Sequence, residues 1–191
     1  MLILLPTAIP LLPRGFIAYD WYYHAFGQHP RFELHNFKPY NLLPALRDRG
    51  IEYWGCPMNE AFRHEPLPGF GDRLANAQSW WQRCQKVGAE GFLVTGWEPN
   101  RLSRPTTSIV DAAIAGLWLD PGPHDQVSLL KRGIERVHGR KNSSELARLL
   151  LACDEHAFSG YARWETHRRW DIVHGREGPG PSAVEQRFFQ R

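Results

Sequence analysis

The sequence predicts an α/β fold built on parallel strands, and three observations predict it. Short apolar runs begin near residues 16, 51 and 91, and a helical pattern follows each before the next run starts. Such alternation implies parallel strands joined by right-handed crossovers. Each run also ends in polar and aromatic residues, and beyond residue 120 only helical periodicity continues.

The elements follow in order. Met1 to Gly15 is apolar but lacks a basic start and is broken by Pro6, Pro10 and Pro13. That pattern argues against a signal peptide, and no stretch reaches the ~18 apolar residues of a membrane span. It reads as the end of an element whose beginning is absent. Gly15 to Trp21 is the first strand. The segment from there to Pro39 is long for a loop in a compact domain, which makes it a functional suspect. Leu42 to Arg49 forms a short helix with Pro44 in its first turn, and Gly50 stands at its C-terminal cap.

Ile51 to Cys56 is the second strand, with Trp54-Gly55 near its end and Pro57 after it. A loop with Pro66, Pro68 and two glycines leads to Asp72, placed to cap the next helix. Leu74, Ala77, Trp80, Trp81, Cys84 and Val87 recur at spacings of three and four, so one face of that helix is apolar, and Gly88 closes it. The third strand is Gly91 to Val94, which breaks at Thr95-Gly96 into Trp97-Glu98-Pro99.

Pro105 and Thr106-Thr107 open a helix that runs from Ile109 to Leu119 and is apolar nearly all round. Asp120-Pro-Gly-Pro stops it. Val127, Leu130, Ile134 and Val137 form a stripe ended by Gly139. Asn142 with Glu145 spells a capping box, and Leu146, Leu149, Leu150 and Cys153 form the next stripe. The Gly- and Pro-rich end reads as a frayed tail.

Chain length then bears on architecture. A closed (β/α)8 barrel needs roughly 250 residues at about 30 per unit, and only three units fit in the ~105 residues available. The chain is either a small open α/β sheet or the trailing part of a barrel, and the helices after the last unit favour the second. The expected organisation is a partial barrel over residues 1–120, a helical extension over 121–175 and a disordered tail over 176–191.

Composition narrows the function. Lys and Arg exceed Asp and Glu by 23 to 20, a net charge of +3. That excess is too small, and too interleaved with acids, to imply nucleic acid. Cys56, Cys84 and Cys153 are odd in number and widely spaced, so neither a disulfide framework nor a zinc site is expected. The nine His form no HExxH or close pair, no GxGxxG, P-loop or GxSxG occurs, and no metal or cofactor is expected. Gly69-Phe-Gly71 is too short to cradle a phosphate. Arg101 and Arg104 suit a surface role. Trp164, Arg168, Arg169 and Trp170 lie at helical spacing, which suits packing better than base stacking. In the absence of a targeting signal, a cytoplasmic location is the default.

The eight Trp are the compositional anomaly. In barrels and open α/β sheets ligands sit at the carboxyl ends of the strands. Those ends carry Tyr19-Asp20-Trp21-Tyr22-Tyr23, Trp54 with Asn59, and Trp97-Glu98. Taken singly, each Trp is ordinary core material, Asp20 a cap or salt-bridge residue and Glu98 a solvated loop residue. Three strands bringing Trp to one edge describe something else, an aromatic wall with carboxylates. Such a wall stacks the C–H face of a pyranose and accepts from its hydroxyls.

Taken together, Ala18-Tyr-Asp-Trp21, Gly50-Ile-Glu-Tyr-Trp-Gly-Cys-Pro57, Arg73-Leu-Ala-Asn76 and Gly88-Ala-Glu-Gly-Phe-Leu-Val-Thr-Gly-Trp97 resemble the last three units of a family 20-like glycoside hydrolase barrel, the β-N-acetylhexosaminidase-related enzymes. The likeness covers about residues 15 to 120. It implies hydrolysis of terminal β-linked N-acetylhexosamines, with the substrate's own acetamide as nucleophile. Tyr19 and Asp20 would then lie near the acetamide and hydroxyls, Trp97 in the floor of the sugar site, and Glu98 on hydroxyls. Tyr23, Trp21, Trp54 and Asn59 complete the expected substrate-binding set. Two departures stand out: the family's Asp-Glu pair, which includes the general acid, has no counterpart here, and Trp97 adjoins Glu98 where the family has a residue between them.

The expected partner is therefore a carbohydrate, without nucleic acid or membrane, and the chain alone is expected to hydrolyse little. Open sheet edges would favour self-association. A contrasting expectation is a complete small α/β domain that only binds a glycan or a protein.

Overall fold

The computed structural model describes residues 6–23, 25, 42–60, 68–96, 103–119 and 124–154. The chain divides into two compact units, one of residues up to Asn59 together with Asp72–Gly96, the other of Glu60–Gly71 together with residues from Trp97 onward.

The first unit is an α/β layer. Strands β1 (Ile17–Trp21), β2 (Glu52–Cys56) and β3 (Gly91–Phe92) form a three-stranded parallel sheet in chain order. The register pairs Ala18 with Tyr53, Tyr19 with Trp54 and Trp21 with Cys56, then Trp54 with Gly91 and Gly55 with Phe92. A parallel bridge between Met58 and Thr95 carries the last pairing past the strand ends. The three starts read from the apolar runs are thus present. The runs are apolar because one face of each strand lies beneath helices.

Helix α1 (Leu43–Asp48) joins β1 to β2 and buries Leu43 and Leu46. Helix α2 (Phe70–Val87) joins β2 to β3. Gly50 and Gly88 follow them at φ +69° and +63°, a left-handed turn that a side chain resists. Asp72 is not the cap of α2: the helix starts two residues earlier and Asp72 sits in its first turn, where its charge still meets the positive end of the helix. Leu74, Ala77, Trp80 and Cys84 are buried along the stripe the sequence marked. Trp80, Cys84, Tyr53, Tyr22, Ile51, Leu46 and Ile9 make one core, with Ile9 supplied by a 3-10 turn at Pro6–Leu11. Arg47 of α1 donates to the carbonyls of Val87 and Gly88 at the end of α2.

The second unit is helical. Helix α3 (Ser103–Leu119), which the sequence attaches to the third strand, belongs here, packed on α4 (Gln126–His138), which also packs on α5 (Ser144–Cys153). Ile109, Val110, Ala113, Ile114 and Leu117 are buried on α3, and Leu129, Leu130 and Ile134 on α4. Gly133 permits the close approach, since a Cβ there would strike the Ile109 carbonyl and Ala113. Asp125 caps α4 by accepting from the Ser128 amide at 2.9 Å and its hydroxyl at 2.6 Å, which holds its carboxyl below the usual range. Gly71 is held in this unit by Asp154, which accepts its amide proton at 2.6 Å, and by Gln126, which donates to its carbonyl at 3.0 Å.

Two expectations fail on α5. The capping box does not form. Asn142 adopts φ +62°, Ser143 is the cap residue without a side-chain bond, and the Ser143 amide donates instead to Glu135 on α4 at 3.2 Å. The helix also turns a different face inward: Ala147 is buried while Leu146 and Leu149 are exposed.

Candidate functional site

Side chains alternate across a strand, so β1 sorts its own residues onto two faces. Tyr19 and Trp21 emerge on one, and they are 43% and 51% exposed. Trp54, the register partner of Tyr19, rises on the same face; the two rings meet edge to face with centroids 5.8 Å apart at 75°. The Trp54 indole Nε1 donates to Glu52 Oε2 at 2.9 Å, two residues back along that face. On the next strand Gly91 leaves the indole its room, because a Cβ there would collide with the ring. Exposed Leu93 follows β3 in the same alternation as Gly91. Among the described residues this side of the sheet is an aromatic surface with a carboxylate at one end.

The other face lies against α1 and α2 and receives Ala18, Asp20, Tyr53, Gly55 and Phe92. Gly55 is required there: its Cβ would stand 2.5 Å from Cys84 Sγ and 2.6 Å from the Trp80 ring. Phe92 meets Trp81 edge to face at 5.8 Å. The Tyr53 hydroxyl donates to Asp20 Oδ2 at 2.7 Å and accepts from Arg83 Nε at 3.2 Å. Burial drives the Asp20 carboxyl up to about 6, against the opposing pull of the Tyr53 hydrogen bond and the Arg83 charge. The Tyr53 phenol is raised as well, first by burial and then by the Asp20 charge. Burial likewise pushes the Cys56 thiol up to about 12 and that of Cys84 to about 11, so neither is a nucleophile at neutral pH.

The strand exits are fastened from α2. Asn76, fully buried, donates through Nδ2 to the Tyr22 carbonyl at 2.7 Å and accepts the Met58 amide proton through Oδ1 at 3.0 Å. Trp80 Nε1 donates to the same Tyr22 carbonyl at 2.8 Å, and Arg73 donates to the Tyr23 carbonyl at 3.0 Å. Between β2 and β3, the Thr95 amide and hydroxyl both donate to the Pro57 carbonyl, at 2.8 and 2.9 Å, and the Asn59 amide donates to the Thr95 carbonyl at 3.1 Å.

Of the residues expected to bind substrate, Tyr19, Trp21 and Trp54 are brought together. Trp54 stands mid-strand on the sheet face, one turn of the pleat short of the carboxyl end where the sequence placed it. Asp20 is not with them. As the neighbour of both Tyr19 and Trp21, it must point to the opposite face, and there it serves the Tyr53–Arg83 network. Tyr23 and Asn59 lie at the exits of β1 and β2, half-buried, their backbones engaged as described. Trp97 and Glu98 fall outside the described residues.

Tyr53, Asn76, Arg83 and Thr95 were not singled out from the sequence for any role at the site. The available signal was polar residues interrupting the apolar stripe of α2: Arg73, Asn76 and Arg83 flank Leu74, Ala77 and Cys84. A buried position beside such a stripe demands a hydrogen-bond partner. Among the described residues no group of three or more His, Cys, Asp or Glu is placed to hold a metal ion, and no helix is long and apolar enough to cross a membrane.

Fold and site thus define an α/β unit with one helix-covered face and one aromatic face. No family model matches this chain, and neither a curated protein nor a solved structure matches it.

Proposed function

We propose that the face bearing Tyr19, Trp21 and Trp54 binds a saccharide, and that the chain supplies the sugar-binding wall of a glycoside hydrolase acting on terminal β-linked N-acetylhexosamines. The observation that carries this reading is the exposure of two large aromatics, Tyr19 and Trp21, the first edge-packed on Trp54, on the side of a parallel sheet opposite its helices. A pyranose presents a C–H face to such rings, and the Glu52 carboxylate is the acceptor for its hydroxyls on this side. Asp20 drops out of the contact set and becomes a support. Three strands in chain order with both crossover helices on one side also suit three consecutive barrel units, in which a ligand sits at the carboxyl ends of the strands, where Trp21 stands.

Titration with N,N′-diacetylchitobiose by calorimetry tests the binding. Saturable heat that falls about fivefold in affinity for Trp21→Ala is expected, from a stacking contribution of ~1 kcal/mol. Absence of any binding would reject the sugar reading.

A non-catalytic glycan-binding unit is the second reading. It is favoured by Asp20, the carboxyl raised to about 6, which faces away from the aromatic surface and is engaged by Tyr53. Size-exclusion chromatography with a melting curve separates the two: a self-contained binding unit is monodisperse and melts cooperatively, whereas part of a barrel self-associates through its open sheet edges.

A further inference from the structure

We infer that Asn76 is a positioning residue for the aromatic face, a single bracket that sets the exit of β1 relative to the exit of β2. The inference rests on the saccharide reading for its consequence but not for its geometry. One amide group serves both exits: its nitrogen donates to the Tyr22 carbonyl and its oxygen accepts from the Met58 amide. Those two backbone groups lie directly after Trp21 and two residues after Cys56, the last ladder pair of β1 and β2. Beyond that pair the ladder gives no further fixing of β1 against β2, so their divergence depends on what holds the next residues.

Only an amide matches both requirements. A carboxylate of equal size cannot donate to the Tyr22 carbonyl, and a methyl group meets neither demand. The burial of Asn76 keeps water from substituting for it. Trp80 and Arg73 add donors to the Tyr22 and Tyr23 carbonyls, and Thr95 fastens β3 to β2. Asn76 ties the first exit to the second within one side chain, and Thr95 carries the tie on to the third. Trp21, whose carbonyl side is fixed through Tyr22, keeps its angle to Tyr19 and Trp54 by this route.

The test compares Asn76→Ala and Asn76→Asp with Ala77→Gly, a neighbouring buried change that loosens α2 without touching the bracket. Two readouts are taken on the folded proteins: chitobiose affinity, and amide hydrogen exchange over residues 21–23 and 58–59. Expected for both Asn76 variants is faster exchange at both exits, with affinity about threefold weaker than in Ala77→Gly, within the loss caused by removing the Trp21 ring. Exchange no faster than in Ala77→Gly, or affinity equal to it, overturns the bracket. If the parent chain binds no chitobiose, the saccharide reading falls by itself. Exchange alone then decides: a rise at both exits upholds the bracket and a rise at one or neither rejects it.

Discussion

Asp20 and Trp21 are adjacent in the chain and opposite in circumstance. On the helix-covered face, polar groups are fastened: Asp20 to Tyr53, Tyr53 to Arg83, Asn76 to two backbone groups. On the other face Tyr19 and Trp21 stand 43% and 51% exposed, and the Tyr19 ring leans on Trp54. The covered face has the burial that sustains stability. The aromatic face has apolar area left over, which in a stable layer is surface available to a ligand. The difference teaches that stability and recognition are divided here by strand parity, so substitutions one residue apart should have unlike consequences.

The largest effect should come from Trp80→Ala on the covered face. Emptying a fully buried indole site and losing its bond to Tyr22 should cost about 3–5 kcal/mol and lower the melting temperature by more than ~10 °C in calorimetry. Retention of the parent melting temperature would break the contrast outright. Next is Gly55→Ala. The added methyl meets Cys84 Sγ and the Trp80 ring, neither of which has free space, and about 2 kcal/mol of destabilisation is expected from the shift of a urea midpoint.

The Asp20 carboxyl sharpens the comparison through pH. Its affinity for a proton is higher folded, at about 6, than unfolded, at 3.8. The folded state therefore holds a proton that the unfolded state has lost across that interval. The associated stability is complete below about pH 4 and disappears as pH rises through about 6, an effect on the order of 3 kcal/mol. Urea midpoints between pH 4 and 7 should fall along this window, and Asp20→Asn should flatten the fall. A midpoint that rises across the same window in the parent, without change in Asp20→Asn, would place the titrating group elsewhere.

The smallest effect on stability belongs to the other face. Trp21→Ala should change the unfolding free energy by less than about 0.5 kcal/mol, as for other exposed positions. It should nonetheless weaken chitobiose binding. A stability loss like that of Trp80→Ala would mean that Trp21 is core, and the division by parity would fail.

Much of the layer was legible. Strand starts followed from apolar runs, α2 from the Leu74–Ala77–Trp80–Cys84 spacing, and helix ends from Gly50, Gly88 and Gly139, because local sterics and periodicity are written residue by residue. The site was legible only in part. The aromatic composition of the strands singled out Tyr19, Trp21 and Trp54, but grouped Asp20 with them although parity alone separates it. That parity was available in the sequence; what it could not reveal was which face the helices would cover.

Local sequence by itself determined the order of elements, their turns and the presence of surplus aromatic surface. The tertiary structure decided the partners. Where the sequence spells an Asn142–Glu145 box, Asn142 lies at φ +62° outside the helix and the next amide, of Ser143, is held by Glu135 on another helix; Asn76 found Tyr22 and Met58, 54 and 18 residues away. Periodicity and capping act over a single helical turn, whereas a buried hydrogen-bonding group is satisfied by whatever the packed chain brings within about 3 Å.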